Sequence, residues 1–106
     1  MRAVFDTNVI ISATLWHNSV SQKLLIKLIN ANVEIFTSSD IISEYLRVLV
    51  RDFGYSEDEA ISVLGNIMPV FTFVEPMERI DILKSNPEDN KILECAMESS
   101  TDFIIT

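Results

Sequence analysis

VFDTNVIISA, residues 4–13, reads as the interior of a sheet or a helix except that Asp6, Thr7 and Asn8 interrupt it. An unpaired carboxylate taken out of water costs several kcal/mol, so the polar triplet needs a reason. The residues before it, Arg2 to Phe5, form a short run rich in β-branched and aromatic side chains that reads as a buried strand ending at Asp6.

Working outward, Ser19 with Gln22 is a capping-box pattern in front of LLIKLINA, which predicts a helix near residues 19–31. Residues 33–37 read as a second strand, and SSDIISEYLRVLVRDFG as a helix stopped by Gly54. Ser56 with Glu59 opens another helix that runs to about Met68, and residues 70–74 read as a third strand. Asn86-Pro87 is an N-cap followed by proline at the first helical position, and that helix runs to about Ser100. DFIIT, residues 102–106, is the last strand. Short apolar strands alternating with amphipathic helices imply an α/β fold, a three-layer αβα sandwich around a mostly parallel sheet. Ligands of open α/β sheets gather at the carboxyl edge, where strands end and helices begin.

Composition limits what such a domain does. The 106 residues make a single domain, 48% hydrophobic with 2 Gly and 3 Pro, and no linker, repeat or low-complexity tract interrupts them. No apolar run is long enough for a membrane span, and the N-terminus lacks a signal-peptide pattern, so a cytoplasmic location follows by default. One cysteine, Cys95, excludes an internal disulfide, and one histidine, His17, excludes the usual Cys/His zinc cluster. Any metal must be held by oxygen. With 8 Lys plus Arg against 16 Asp plus Glu the net charge is -8, the wrong sign for binding nucleic acid by bulk electrostatics. A polyanionic partner therefore requires something local that reverses the sign.

Three acids are candidates for the carboxyl edge. Asp6 follows the first strand directly, and it reads either as the N-cap of VIISA or as a site residue; position alone leaves both open. In the last helix, Ile92, Leu93, Cys95, Ala96 and Met97 share one arc, with Glu88, Asn90, Lys91, Glu94 and Glu98 outside it. Asp89 falls near the middle of that arc, so it faces the sheet from the first turn. An acid there also complements the helix dipole, but Glu88 serves that purpose without facing inward. Glu44 lies at the boundary of the apolar arc of its helix, where the simplest role is a surface ion pair with Arg47 at the i,i+3 spacing. Glu57, Asp58 and Glu59 read as a first-turn acidic cap, and Asp102 begins its strand at the opposite edge. Glu34, Asp52, Glu75, Glu78 and Asp81 read as solvated charges, Trp16 as a packing residue and the four methionines as core filling.

In order along the chain, DTNVIISA, SEYLRVL, PEDNKILECA and DFIIT resemble the successive motifs of the PIN domain, a metal-dependent ribonuclease family. Each motif is short, and the resemblance spans essentially the whole chain. It implies a parallel sheet between helices with acids gathered around one or two Mg²⁺ or Mn²⁺ ions. Asp6, Glu44 and Asp89 match the family's first three acids, both metal-ligating and catalytic, with Asn8 and Thr106 matching supporting polar positions. It implies RNA as substrate and, in the branch of small PIN toxins that the chain resembles in length, an antitoxin protein as partner, with a homodimer as an allowed assembly. The family pattern continues past the Thr to a small residue, a fourth Asp and a further helix and strand. The chain stops at Thr106, so the expectation is a domain lacking its C-terminal portion and an incomplete metal site.

Carboxylate oxygens suit hard divalent cations, and a bound cation, aided by Arg47 or Arg51, would resolve the charge problem by making the site locally positive. The competing reading is a catalytically incomplete PIN-like module that binds a protein partner. Other chemistries lack their residues. A haloacid-dehalogenase type of phosphotransfer needs an Asp where Asn8 stands, a receiver-type domain needs an Asp and a Lys at later strand ends, and dinucleotide binding needs a glycine-rich turn after the first strand.

Overall fold

The computed structural model describes residues 1–76 and 87–106, the side chains of 87–90 excepted. Strand β1 (Arg2–Phe5) buries three successive residues, Ala3, Val4 and Phe5, each at most 1% exposed. Successive strand side chains point to opposite faces, so both faces of this strand are covered. Strand β2 (Glu34–Thr37) repeats the pattern, and β3 (Phe71–Phe73) and β4 (Phe103–Ile105) flank the pair. All pairings are parallel, in the order β3-β2-β1-β4, with Val4 opposite both Phe36 and Ile104.

Among the described residues five α-helices accompany these strands: α1 (Thr7–Leu15), α2 (Val20–Asn30), α3 (Ser39–Phe53), α4 (Glu57–Ile67) and α5 (Pro87–Ser99). Helix α1 packs on α2 and α3, and α5 packs on β1 and β2, which with both faces of β1 covered makes the layered αβα arrangement. The strands begin and end within a residue of the positions read from the sequence, and one trimming has a visible cause. Met68–Val70 forms a 3-10 turn with Pro69 inside it, and this takes Val70 out of the third strand.

Local chemistry sets the helix ends. The Asp6, Ser19, Ser38 and Ser56 side chains each accept a backbone N–H of the helix that follows, and Ser56 and Glu59 complete a reciprocal capping box. Gly54 ends α3 in the left-handed region at φ 70°. Pro87 is the first residue of α5, as expected, whereas the Asn86 cap lies outside the described residues. The core joins β1 and β2 to Ile10, Ile41, Tyr45 and Leu49 on one side and to Ile92, Cys95 and Ala96 of α5. Tyr45 is fully enclosed, its hydroxyl 2.9 Å from Thr14 Oγ1, which also donates to the Ile10 carbonyl. Among the described residues no helix is long and apolar enough to cross a membrane.

Candidate metal centre

The carboxyl edge collects the ends of all four strands. Phe5 is opposite Ile105, and the Asp6 N–H donates to the Ile105 carbonyl at 2.9 Å, so Asp6 and Thr106 leave the sheet side by side. Asp6 caps α1: its Oδ1 accepts the Asn8 N–H at 3.1 Å, and its carbonyl accepts the Val9 and Ile10 N–H groups. The cap reading from the sequence is therefore real. It uses one carboxylate oxygen and does not occupy the other. The bond from Asn8 is made by its backbone N–H, and the residue itself is exposed.

Glu44 differs from its expected surface role. It is 4% exposed, on the buried side of α3 with Ile41, Tyr45 and Val48. The i,i+3 ion pair with Arg47 is present, but it is joined by Lys91 of α5, whose Nζ lies 3.7 Å from Glu44 Oε2. The wheel counts only a helix's own periodicity, and here the approach of α5 to α3 closes over a boundary position. Both ion pairs fall on the same oxygen, Glu44 Oε2. Glu44 lies about a turn and a half into α3, the helix that starts at the carboxyl edge.

Asp89 lies in the first turn of α5, which places its backbone at the same edge, while its side chain lies outside the described residues. Among the described residues no three acids stand close enough together to hold one ion. The donor set still fits a hard cation. Glu44 offers a buried carboxylate and Asp6 a second one, the oxygen chemistry that Mg²⁺ and Mn²⁺ prefer.

Sequence reasoning missed several neighbours. Glu75, classed there as a solvated charge, is exposed but accepts from both the N–H (3.3 Å) and the hydroxyl (3.0 Å) of Ser39 at the start of α3. It follows β3 by two residues, with Val74 between, so it stands at the same edge as Asp6. Thr37, the last residue of β2, is fully buried with no hydrogen-bond partner for its hydroxyl among the described residues, a detail that only packing discloses. Lys91 was placed outside the apolar arc and is only partly exposed. On the same helix Glu94 is buried although its wheel position lies outside the arc, and Met97, inside the arc, is 59% exposed along a groove beside β4.

The two arginines expected to aid phosphate binding are engaged. Arg47 pairs with Glu44, and Arg51 makes a two-point contact with Asp52 at 2.8 and 3.0 Å. Both line an apolar groove of about 520 Å³ between α3 and α4, with Leu46, Val50 and Ile61. Trp16 is half exposed and packs edge-on against Phe53, ring centroids 5.6 Å apart, in keeping with its expected packing role. Asp102 lies at the amino edge, where its carboxylate accepts the Arg2 N–H at 2.8 Å. Glu78 and Asp81 lie outside the described residues.

Comparison with known proteins agrees with this architecture. The family model for the PIN domain matches residues 2–106. An uncharacterized protein of Methanocaldococcus jannaschii, MJ1680, is similar to the chain at 26% identity over 108 residues, 98% of this chain and 69% of that protein.

Proposed function

The chain belongs to the PIN domain family, and from that premise we propose that it is a divalent-metal-dependent ribonuclease, the toxin component of a toxin-antitoxin pair. The observation that carries the catalytic part is Glu44: a buried carboxylate on the helix that starts at the carboxyl edge, with its charge met by Arg47 and Lys91. Such a group is expensive to maintain in a merely structural role. Asp6 stands at the same edge, and Asp89 is the third acid of the proposed set, with Asn8 and Thr106 in support.

A bound Mg²⁺ or Mn²⁺ would supply activation of a water for attack on the phosphodiester and charge neutralisation at the leaving oxygen. The protein's own residues do the rest. Asp6 is held by its cap bond to the Asn8 N–H, which fixes its rotamer while leaving an oxygen free to coordinate. Glu44 is held by Arg47 and Lys91, which lower the cost of keeping its charge among apolar neighbours. The family resemblance in length supports the toxin assignment, with an antitoxin protein as the proposed partner.

The test is cleavage of an RNA substrate by the protein with Mg²⁺ or Mn²⁺, and its loss on chelation. Asp6→Asn and Asp89→Asn should each reduce cleavage to background, at least a hundredfold. Asn caps helices about as well as Asp, so the Asp6 substitution should leave circular dichroism and melting near wild type. Retained cleavage in either variant overturns the assignment, and a folded wild-type protein that neither binds divalent ions nor cleaves RNA favours the protein-binding module.

A further inference from the structure

We propose that the outer face of α2 is a contact surface for the phosphate backbone of single-stranded RNA, with Lys23 and Lys27 as its phosphate contacts. The inference rests on the nuclease reading above and adds to it a surface away from the acids. It starts from where the charges lie. All 16 acids of the chain fall outside residues 7–33, the stretch that forms α1 and α2 and carries Lys23 and Lys27. A chain of net charge -8 thus holds one pair of helices whose own charge is positive.

Among the described residues the other cations are engaged: Arg2 with Glu34, Arg47 and Lys91 with Glu44, and Arg51 with Asp52. Lys23 and Lys27 meet no acid among those residues, and both are exposed. Four residues apart on one helix, they stand on the same side, about 6 Å along its axis. The buried side of α2 is centred near Leu25. On the wheel, Lys23 and the exposed Asn30 point away from it, with Lys27 beside them. The exposed Val20 and Ile29 mark the margins of this face, and Ile26 lies between Ile29 and Asn30. A protein-docking face has the reverse arrangement, an apolar centre inside a polar rim. A charged centre with apolar margins suits a polyanion.

Helix α2 is pinned to the helix that Asp6 opens. Ser19 Oγ donates to the Ser12 carbonyl and Gln22 Nε2 to the Ala13 carbonyl, each at 3.1 Å. At 1.5 Å per residue these anchors lie about 9 Å along α1 from Asp6. A stacked strand covers that distance in about three nucleotides. The lysines attract its backbone without reading its bases, and they supply the positive field that the acid-rich remainder of the chain lacks.

The test reads binding rather than turnover. In the full chain, anisotropy of a fluorescein-labelled single-stranded oligouridylate is followed in EDTA over a range of NaCl concentrations. Each phosphate contact on a single strand contributes about 0.7 to the slope of log affinity against log salt. The double variant Lys23→Gln, Lys27→Gln should therefore flatten that slope by about 1.4, and its loss of affinity from about 50 to about 200 mM NaCl should be about sevenfold smaller than that of wild type. Gln forms helices about as well as Lys, so circular dichroism should match wild type. The double variant Lys23→Arg, Lys27→Arg keeps both charges and should keep the slope. An unchanged slope in the glutamine variant, or no binding by wild type at the lower salt, overturns the proposal and leaves this face to an acidic segment of a protein partner. Lysine-dependent RNA binding by a protein that cleaves no RNA with Mg²⁺ or Mn²⁺ removes the nuclease reading and leaves the α2 surface standing. Cleavage with a slope that ignores both lysines does the opposite.

Discussion

Cys95 is fully enclosed on the sheet side of α5, and burial, with the Glu75 carboxylate adding to it, pushes its thiol up to about 12. In the unfolded chain the same thiol ionises near 8.5, about the ordinary value. Between these two values the unfolded state has released a proton that the folded state keeps. Stability is therefore intact below the lower value and is lost progressively as pH rises toward the upper one, by at most about 1.4 kcal/mol per pH unit. Denaturant melts at pH 8 and pH 10 should show Cys95→Ala losing about 1–2 kcal/mol less than wild type over that interval. Glu44 shows where reading single residues stops. Its pair with Arg47 was legible from spacing, because both residues lie on one helix. Its burial was not, because Lys91 reaches it from another helix across half the chain. For Asp6 the sequence allowed a cap and a ligand, and the structure fills the first role without closing off the second.

At the scale of elements the two glycines make opposite predictions. Gly54 ends α3 at φ 70°, a backbone that an L side chain adopts only with strain, and nothing lies within 4 Å of where its Cβ would be. Gly54→Ala should cost about 1 kcal/mol through backbone alone. Gly65 sits inside α4 with the same open space and no such backbone, so Gly65→Ala should add about 0.5–1 kcal/mol. Urea denaturation of the two variants side by side checks both signs. Elements of this kind were readable in advance because their signals are local. The capping pairs Ser19 with Gln22 and Ser56 with Glu59, and the stop at Gly54, lie within a few residues of the ends they set. Wheel positions on α5 were less reliable. Glu94 is buried and Met97 exposed, because how far neighbours wrap around a helix and where they leave a groove beside β4 are properties of the packing.

For the whole molecule, the net charge of -8 means the folded chain gathers repelling carboxylates that a divalent ion relieves by binding and a monovalent ion relieves only by screening. Mn²⁺ at about a hundredfold its dissociation constant should stabilise by about 2.7 kcal/mol and raise the melting temperature by roughly 10 °C. Sodium at matched ionic strength should give much less, and equal shifts from the two salts in differential scanning calorimetry would argue against a specific site. The α/β class and the strand order's parallel character followed from the alternation of elements. The side-by-side exit of Asp6 and Thr106 did not, since it depends on which strands are neighbours. That neighbour relation has a further consequence in time. Strand β1 is the second-to-last in space on one flank of the sheet but the first to be made, and one of its two partners, β4, is about a hundred residues away along the chain. Translation proceeds at roughly 5–20 residues per second. For several seconds after it emerges from the ribosome, β1 therefore has one apolar edge open, and that edge is covered only when β4 is delivered.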